Sequence, residues 1–185
     1  QKLQQTQEEY LFNAALDRLR ELVQLGTGAI EIKSGYGLTL EAELKMLRVI
    51  KKLKESSPVL IRSTFLGAHA IPNNFKNNPE GYIQLVVSEM IPAVAKEGLA
   101  EYIDVFCDTG FFSPKQTMQI CNAGLEAGLR PRIHANQLAV SGGVQVGVSL
   151  GAVSVDHLES MDEEAIQVLS SSNTIGTLLP NASFF

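Results

Sequence analysis

The chain has 185 residues, with 45% apolar and 19% charged side chains, no Trp and a formal net charge of −5. That length supports one domain with a real core, and the composition is that of an ordinary globular protein. The acidic balance argues against nucleic-acid binding, which needs a basic face, and no apolar run is long enough to span a bilayer.

No basic segment followed by an apolar core opens the chain, so nothing predicts export. It begins without Met in a charged, Gln-rich pattern and stops at "NASFF", so a piece of a longer protein is expected. Cys107 and Cys121 are too few and too isolated for a disulfide framework or a zinc cluster, and are expected to be buried free thiols in a reducing cytoplasm.

From Thr6 to Leu25, Tyr10, Leu11, Ala14, Ala15, Leu19, Leu22 and Val23 recur at helical spacing. Thr6 is the expected N-cap with Glu9 as its capping-box partner, and Gly26 the expected stop. "GAIEIK" reads as a strand and "SGYG" as a turn. Thr39 then caps a helix ending before Pro58, and "VLIRSTFLGAH" is a second strand. "EGYIQLVVSEMIPAVAKEG" is helical, with a kink or break at Pro92. "YIDVFCD" is a strand, and "SPKQTMQICNAGLEAG" a helix capped by Ser113 with Pro114 at its first position. "RPRIH", "AVSVDHL" and "NTIGTLLP" read as further strands, separated by the helices "SGGVQVGVSLG" and "DEEAIQVLSSS".

Unbroken strand–helix alternation with short connections predicts a parallel α/β sheet with helices outside, in one domain over residues 1–185. An open doubly wound sheet and most of a (β/α)8 barrel both fit. "GYGLTL" lacks the third glycine of a dinucleotide fingerprint, which favours the barrel. Six strands are two short of closure.

All three histidines fall at carboxyl ends of predicted strands: His69 closes "FLGAH", His134 closes "RPRIH" and His157 sits in "AVSVDH". In an α/β barrel that rim carries the active site. Imidazole both ligates divalent metals and moves protons near neutral pH. Tyr36 and Asp108 share the rim. Asp108 is as well explained as a loop cap. The glycines flanking Tyr36 suggest close approach by a ligand. Gly142 and Gly143 are better explained by helix packing than by phosphate binding, since no P-loop lysine follows.

"EIKSGYGL", "FLGAHA", "DVFCDTGFFS", "HANQL" and "SVDHLE" together resemble the imidazolonepropionase family of the metal-dependent amidohydrolase superfamily. The resemblance runs along essentially the whole chain and implies strands two to seven of a TIM-like barrel. It implies hydrolysis of 4-imidazolone-5-propanoate to N-formimidoyl-L-glutamate in histidine degradation, by a metal-activated water. It further implies one divalent ion, zinc or iron, a cytoplasmic location and a homodimer of the full-length protein. His134 matches a metal ligand, His157 the catalytic histidine, and Tyr36, His69 and Gln137 substrate-binding positions. Asn136 stands where the family more usually has an acidic residue. The family's H-x-H metal pair and a substrate arginine would lie upstream, and its metal aspartate downstream, so this chain alone is expected to be inactive. The alternatives are another cyclic amidohydrolase or deaminase of the same fold, and a non-catalytic α/β module that binds a small molecule. "DVFCD" lacks the metal-bridging lysine expected of the dihydroorotase type.

Overall fold

Six parallel strands follow one another in chain order across a single sheet: β1 (Ala29–Lys33), β2 (Leu60–Ala68), β3 (Tyr102–Cys107), β4 (Arg130–Ala135), β5 (Ser154–His157) and β6 (Ile175–Leu178). The structure, a computed structural model, describes residues 2–181, so the closing "ASFF" lies outside the described residues. The order has no reversal, and a doubly wound sheet needs one at its switch point. The barrel expectation therefore holds and the open-sheet alternative does not.

The sheet is strongly curled. β1 and β5 are four strands apart, which in a flat sheet would be about 19 Å. Yet Lys33 Nζ at the end of β1 lies 3.1 Å from Asp156 Oδ2 on β5. Only a wall bent toward closure brings these side chains together. The result is a half-barrel with helices on its convex side.

Residue parity explains which face is which. Ile103, Val105 and Cys107 on β3 and Ile133 and Ala135 on β4 are fully buried in the apolar layer beneath the helices. The intervening Asp104 and Phe106, and Arg132 and His134, face the concave side. Successive strand residues point to opposite faces, so one strand supplies both the core and the site.

Helices α1 (Lys2–Gln5), α2 (Glu8–Gln24) and α3 (Leu40–Ser56) flank β1. Thr39 caps α3 by accepting from Ala42 N. Thr6 does not cap α2; its hydroxyl donates to Lys2 O at 2.7 Å, and Gln7 holds the N-cap position without a side-chain bond. The short α1 provides that competing carbonyl, which the amphipathic pattern of α2 did not reveal.

Between β2 and β3, α4 (Pro79–Leu85) widens into a π-helical turn, Val86–Met90, and continues as α5 (Ile91–Glu97). Pro92 stands at the start of α5. The wide turn accommodates its missing N–H and its ring without breaking the helix. Helix α6 (Pro114–Glu126) opens with a full capping box between Ser113 and Gln116. Helices α7 (Gly143–Ser149) and α8 (Glu163–Ser170) complete the outer layer. A Cβ on Gly143 would lie 2.9 Å from Ala135 Cβ, so close packing explains that glycine. Both cysteines are buried and unbridged.

Among the described residues β1 and β6 each pair on one side only. Ile175 and Leu178 on β6 are 60% and 71% exposed. Unpaired edges with apolar side chains recruit other chains. The 185-residue polypeptide expressed alone should associate or aggregate, as light scattering and size-exclusion chromatography would show. A monomer with a cooperative melt would contradict this.

Candidate active site

Four aromatic rings meet at the carboxyl rim of the strands. Tyr36 follows β1 and meets the His69 ring edge-on, with centroids 5.2 Å apart. His69 follows β2 and lies 6.2 Å from His134 on β4. His134 in turn lies 5.0 Å from His157, which ends β5. Tyr36, His69 and His134 border a cleft of about 440 Å³ at the open edge of β1, lined also by Ala15, Leu19 and Leu22 of α2. The three histidines expected at one end of the sheet are thus brought into one chain of contacts.

His157 reaches this cluster by an unusual route. It shares strand parity with Val155, which is buried on the helix side. Its φ of +86° breaks the strand's regular geometry, and Leu158 follows at +65°. Non-glycine residues seldom adopt such angles, and where they do the surroundings hold them there, often at functional sites. The turn carries the imidazole toward His134 and within 3.4 Å of Glu159 Oε1. Burial holds the His157 ring below the ordinary histidine value; His134 acts in the same direction and Glu159 against it.

Gln137 enters through its backbone: its N–H donates to Asp108 Oδ2 at 2.8 Å. The same carboxylate oxygen accepts from Leu138 N, and Oδ1 accepts from Thr109 N. Asp108 therefore ties the loops after β3 and β4 together, the loop-capping role open to it on sequence. Asn136 is also a loop staple. It is buried with φ +54°, a conformation Asn tolerates, and its amide donates to Ser160 O at 2.9 Å. An acidic side chain in its place could not make that donation.

Below the rings lies a buried ionic cluster absent from the expected site. Lys33 Nζ stands 2.6 Å from Asp104 Oδ2 and 3.1 Å from Asp156 Oδ2. Glu31 joins Lys33, Arg132 and the Thr64 hydroxyl. Burial alone would lower the Lys33 ammonium, but Asp104, Asp156 and Glu31 outweigh it and hold it above the usual lysine range. Burial alone would raise the Asp104 carboxyl, but His134 and Lys33 outweigh it and hold it well below the usual carboxylate range.

Asp104 also addresses His134 directly. Its Oδ1 accepts from the His134 backbone N–H at 3.2 Å, and its Oδ2 lies 2.9 Å from Nδ1. That second approach is off the line of a ring N–H, so it counts as a close contact and not as a hydrogen bond.

The glycines around Tyr36 have an internal cause. A Cβ on Gly35 would lie 2.7 Å from Leu66 O, and one on Gly37 2.6 Å from Ala42 Cβ. Gly35 also has φ +105°. The protein's own backbone, and not an approaching ligand, requires them. Phe106 completes the wall, its ring 6.0 Å from His69 and 5.8 Å from His134. Strand alternation in "YIDVFCD" was the signal that would have placed Asp104 and Phe106 on the concave side.

Comparison with known proteins adds the decisive observation. The chain is 56% identical over 183 residues to the imidazolonepropionase of Christiangramia forsetii, matching 99% of this chain and 44% of that protein. Along essentially its whole length the chain is similar to imidazolonepropionases. The imidazolonepropionases of Flavobacterium johnsoniae and Geobacillus kaustophilus are 52% and 44% identical, over 100% and 96% of this chain. The chain spans less than half the length of these imidazolonepropionases, 45% and 42% respectively. No family model matches it. Among solved structures, 5-methylcytosine deaminase from Klebsiella pneumoniae aligns with a TM-score of 0.71 at 12% identity, covering 95% of this chain and 44% of that one. Adenine deaminase from Arthrobacter aurescens aligns with a TM-score of 0.69 at 15% identity, covering 95% and 54%. At that identity the likeness concerns the fold alone, a partial (β/α) barrel.

Asp104, His134 and Asp156 offer ligand atoms within 4.8 Å of one another, the geometry of a possible metal site. Lys33 already supplies a positive charge to both aspartates, so the three are better described as an internal ion cluster with His134 at its upper edge. His134 Nδ1 and Asp156 Oδ1 are nevertheless buried without a hydrogen bond. A divalent cation fits His134, whose ring makes no hydrogen bond of its own, while Asp156 stays paired with Lys33.

Proposed function

We propose that these residues form the middle of the barrel of an imidazolonepropionase that opens the ring of 4-imidazolone-5-propanoate to N-formimidoyl-L-glutamate in histidine degradation. The observation that carries this reading is the meeting of Tyr36, His69, His134 and His157 at one rim, in a chain 44–56% identical to that family.

In this reading His134 is one protein ligand of a single divalent ion, zinc or iron. The remaining ligands come from parts of the protein outside these residues. A bound ion of this kind supplies Lewis acidity and activates water at neutral pH. His157, turned toward His134 by its backbone, exchanges the proton of the attacking water or meets the developing oxyanion. Tyr36 and His69 hold the substrate at the cleft mouth, and Gln137 hydrogen-bonds a ring nitrogen. Fixing the ring in this way contributes through orientation. Asp104, held by Lys33, steadies His134 from below, the place where partners of metal-bound histidines are commonly found. The whole protein is proposed to act in the cytoplasm as a homodimer.

The test is to purify the full-length protein, measure metal per chain by elemental analysis, and follow loss of imidazolone absorbance. One zinc or iron per chain with turnover supports the reading. A metal-free protein that binds the anion unchanged would instead be a binding module. Metal with turnover of other cyclic amides or aminated bases, but not this one, would favour the same-fold alternative.

A further inference from the structure

Glu43, on the first turns of α3, is fully buried, yet it touches none of the rim histidines. Its two carboxylate oxygens instead collect three backbone donors from the turn that carries Tyr36. Oε2 accepts from Gly35 N at 2.8 Å, and Oε1 accepts from Gly37 N at 2.8 Å and Leu38 N at 2.9 Å. The turn needs such a partner. It contains Gly35 at φ +105° and Leu38 at φ +56°, and its N–H groups point inward where no strand can satisfy them.

The same Gly35 also holds His69. Its carbonyl oxygen lies 3.1 Å from His69 Nδ1. A carbonyl can only accept, so Nδ1 must carry the proton. In the neutral ring Nε2 is then left as an acceptor. Tyr36, next in the chain, stands edge-on against that ring. One buried carboxylate thereby sets a turn that fixes two rim side chains.

We infer that Glu43 is a positioning residue for substrate binding: through Gly35 it fixes the tautomer of His69, and through the turn it fixes the stance of Tyr36. The inference rests on the proposed role of that pair in holding substrate. Its chemical consequence is that neutral His69 takes an N–H of the substrate ring at Nε2, and does not donate to the substrate carboxylate.

Glu43→Gln separates this role from simple packing. The amide keeps one oxygen, which the Gly37 and Leu38 donors can retain. Its NH2 then faces the Gly35 N–H, donor against donor, so the bond lost is the one nearest His69. In the full-length enzyme we expect KM for imidazolonepropionate to rise by about tenfold or more while kcat changes by less than about threefold. Ring 15N spectra of histidine-labelled protein should show neutral His69 protonated at Nδ1 in the wild type. In the variant they should show a mixture of tautomers. Wild-type KM and unchanged His69 signals in the variant would overturn the inference, and so would a kcat loss at constant KM. If the variant does not fold, the wild-type spectrum decides: a proton on Nε2 overturns it. His69→Ala and Tyr36→Phe test the reading beneath. If neither changes KM, the assignment of the pair to substrate fails, while the ring spectra still report whether Glu43 orients His69.

Discussion

Replacing His134 with alanine in the full-length protein should lower metal content per chain from near one to near zero after dialysis, and abolish imidazolonepropionate hydrolysis. A catalytic metal site has few protein ligands and keeps a position open, so loss of one ligand weakens binding by orders of magnitude. His157→Ala should behave differently. Its ring stands beside His134, on a backbone held at φ +86°, and its proposed work is on charge and protons in the transition state. Metal should be retained while turnover falls by about 10²–10⁴-fold, the range for removal of a general acid or base. Elemental analysis and initial rates on both variants separate the two roles. Full metal and full activity in His134→Ala would return that residue to being a packed histidine above an ion cluster.

Lys33→Met should be among the most destabilising single changes in the barrel, at about 3–5 kcal/mol in the full-length protein. The lysine is the shared cation of Asp104 and Asp156, whose side chains are 0% and 8% exposed. Methionine fills similar volume but leaves the two buried carboxylates without their shared cation. Breaking one partner out of a buried ionic group costs far more than the group as a whole contributes. The sign of the pH effect follows from the same contacts. The Lys33 ammonium is held above its unfolded value, so its contribution is fully present below about pH 10 and is lost only in strong alkali. Arg48→Met, which breaks the surface pair with Glu97, serves as a control and should leave the denaturation midpoint nearly unmoved. If both variants shift the midpoint equally, Lys33 is not an internal counter-ion.

Much of the architecture was legible in the chain. Strand and helix patterns are local, and right-handed crossovers leave few ways to order parallel strands. The sequence therefore specified six parallel strands with His69, His134 and His157 at one end. Caps whose partners lie three residues away, such as Thr39 and Ser113, were equally open to reading or nearly so.

What escaped the sequence depends on distance along the chain and on curvature. Lys33 looked like the last residue of an ordinary strand, yet its partners Asp104 and Asp156 lie 71 and 123 residues away. Only the bending of the sheet brings them within bonding distance. The glycines of "SGYG" suggested a visiting ligand, but they answer to Leu66, Ala42 and the buried carboxylate of Glu43. Thr6 had the spacing of a cap, and a carbonyl in the preceding turn claimed its hydroxyl. His157 belonged by parity with the helix-facing residues, and a left-handed backbone turn moved it to the site. Periodicity records which residues share a face of one element. Which faces of different elements meet is set by packing across the closed side of the barrel, where long-range burial and charge compensation outweigh local preference.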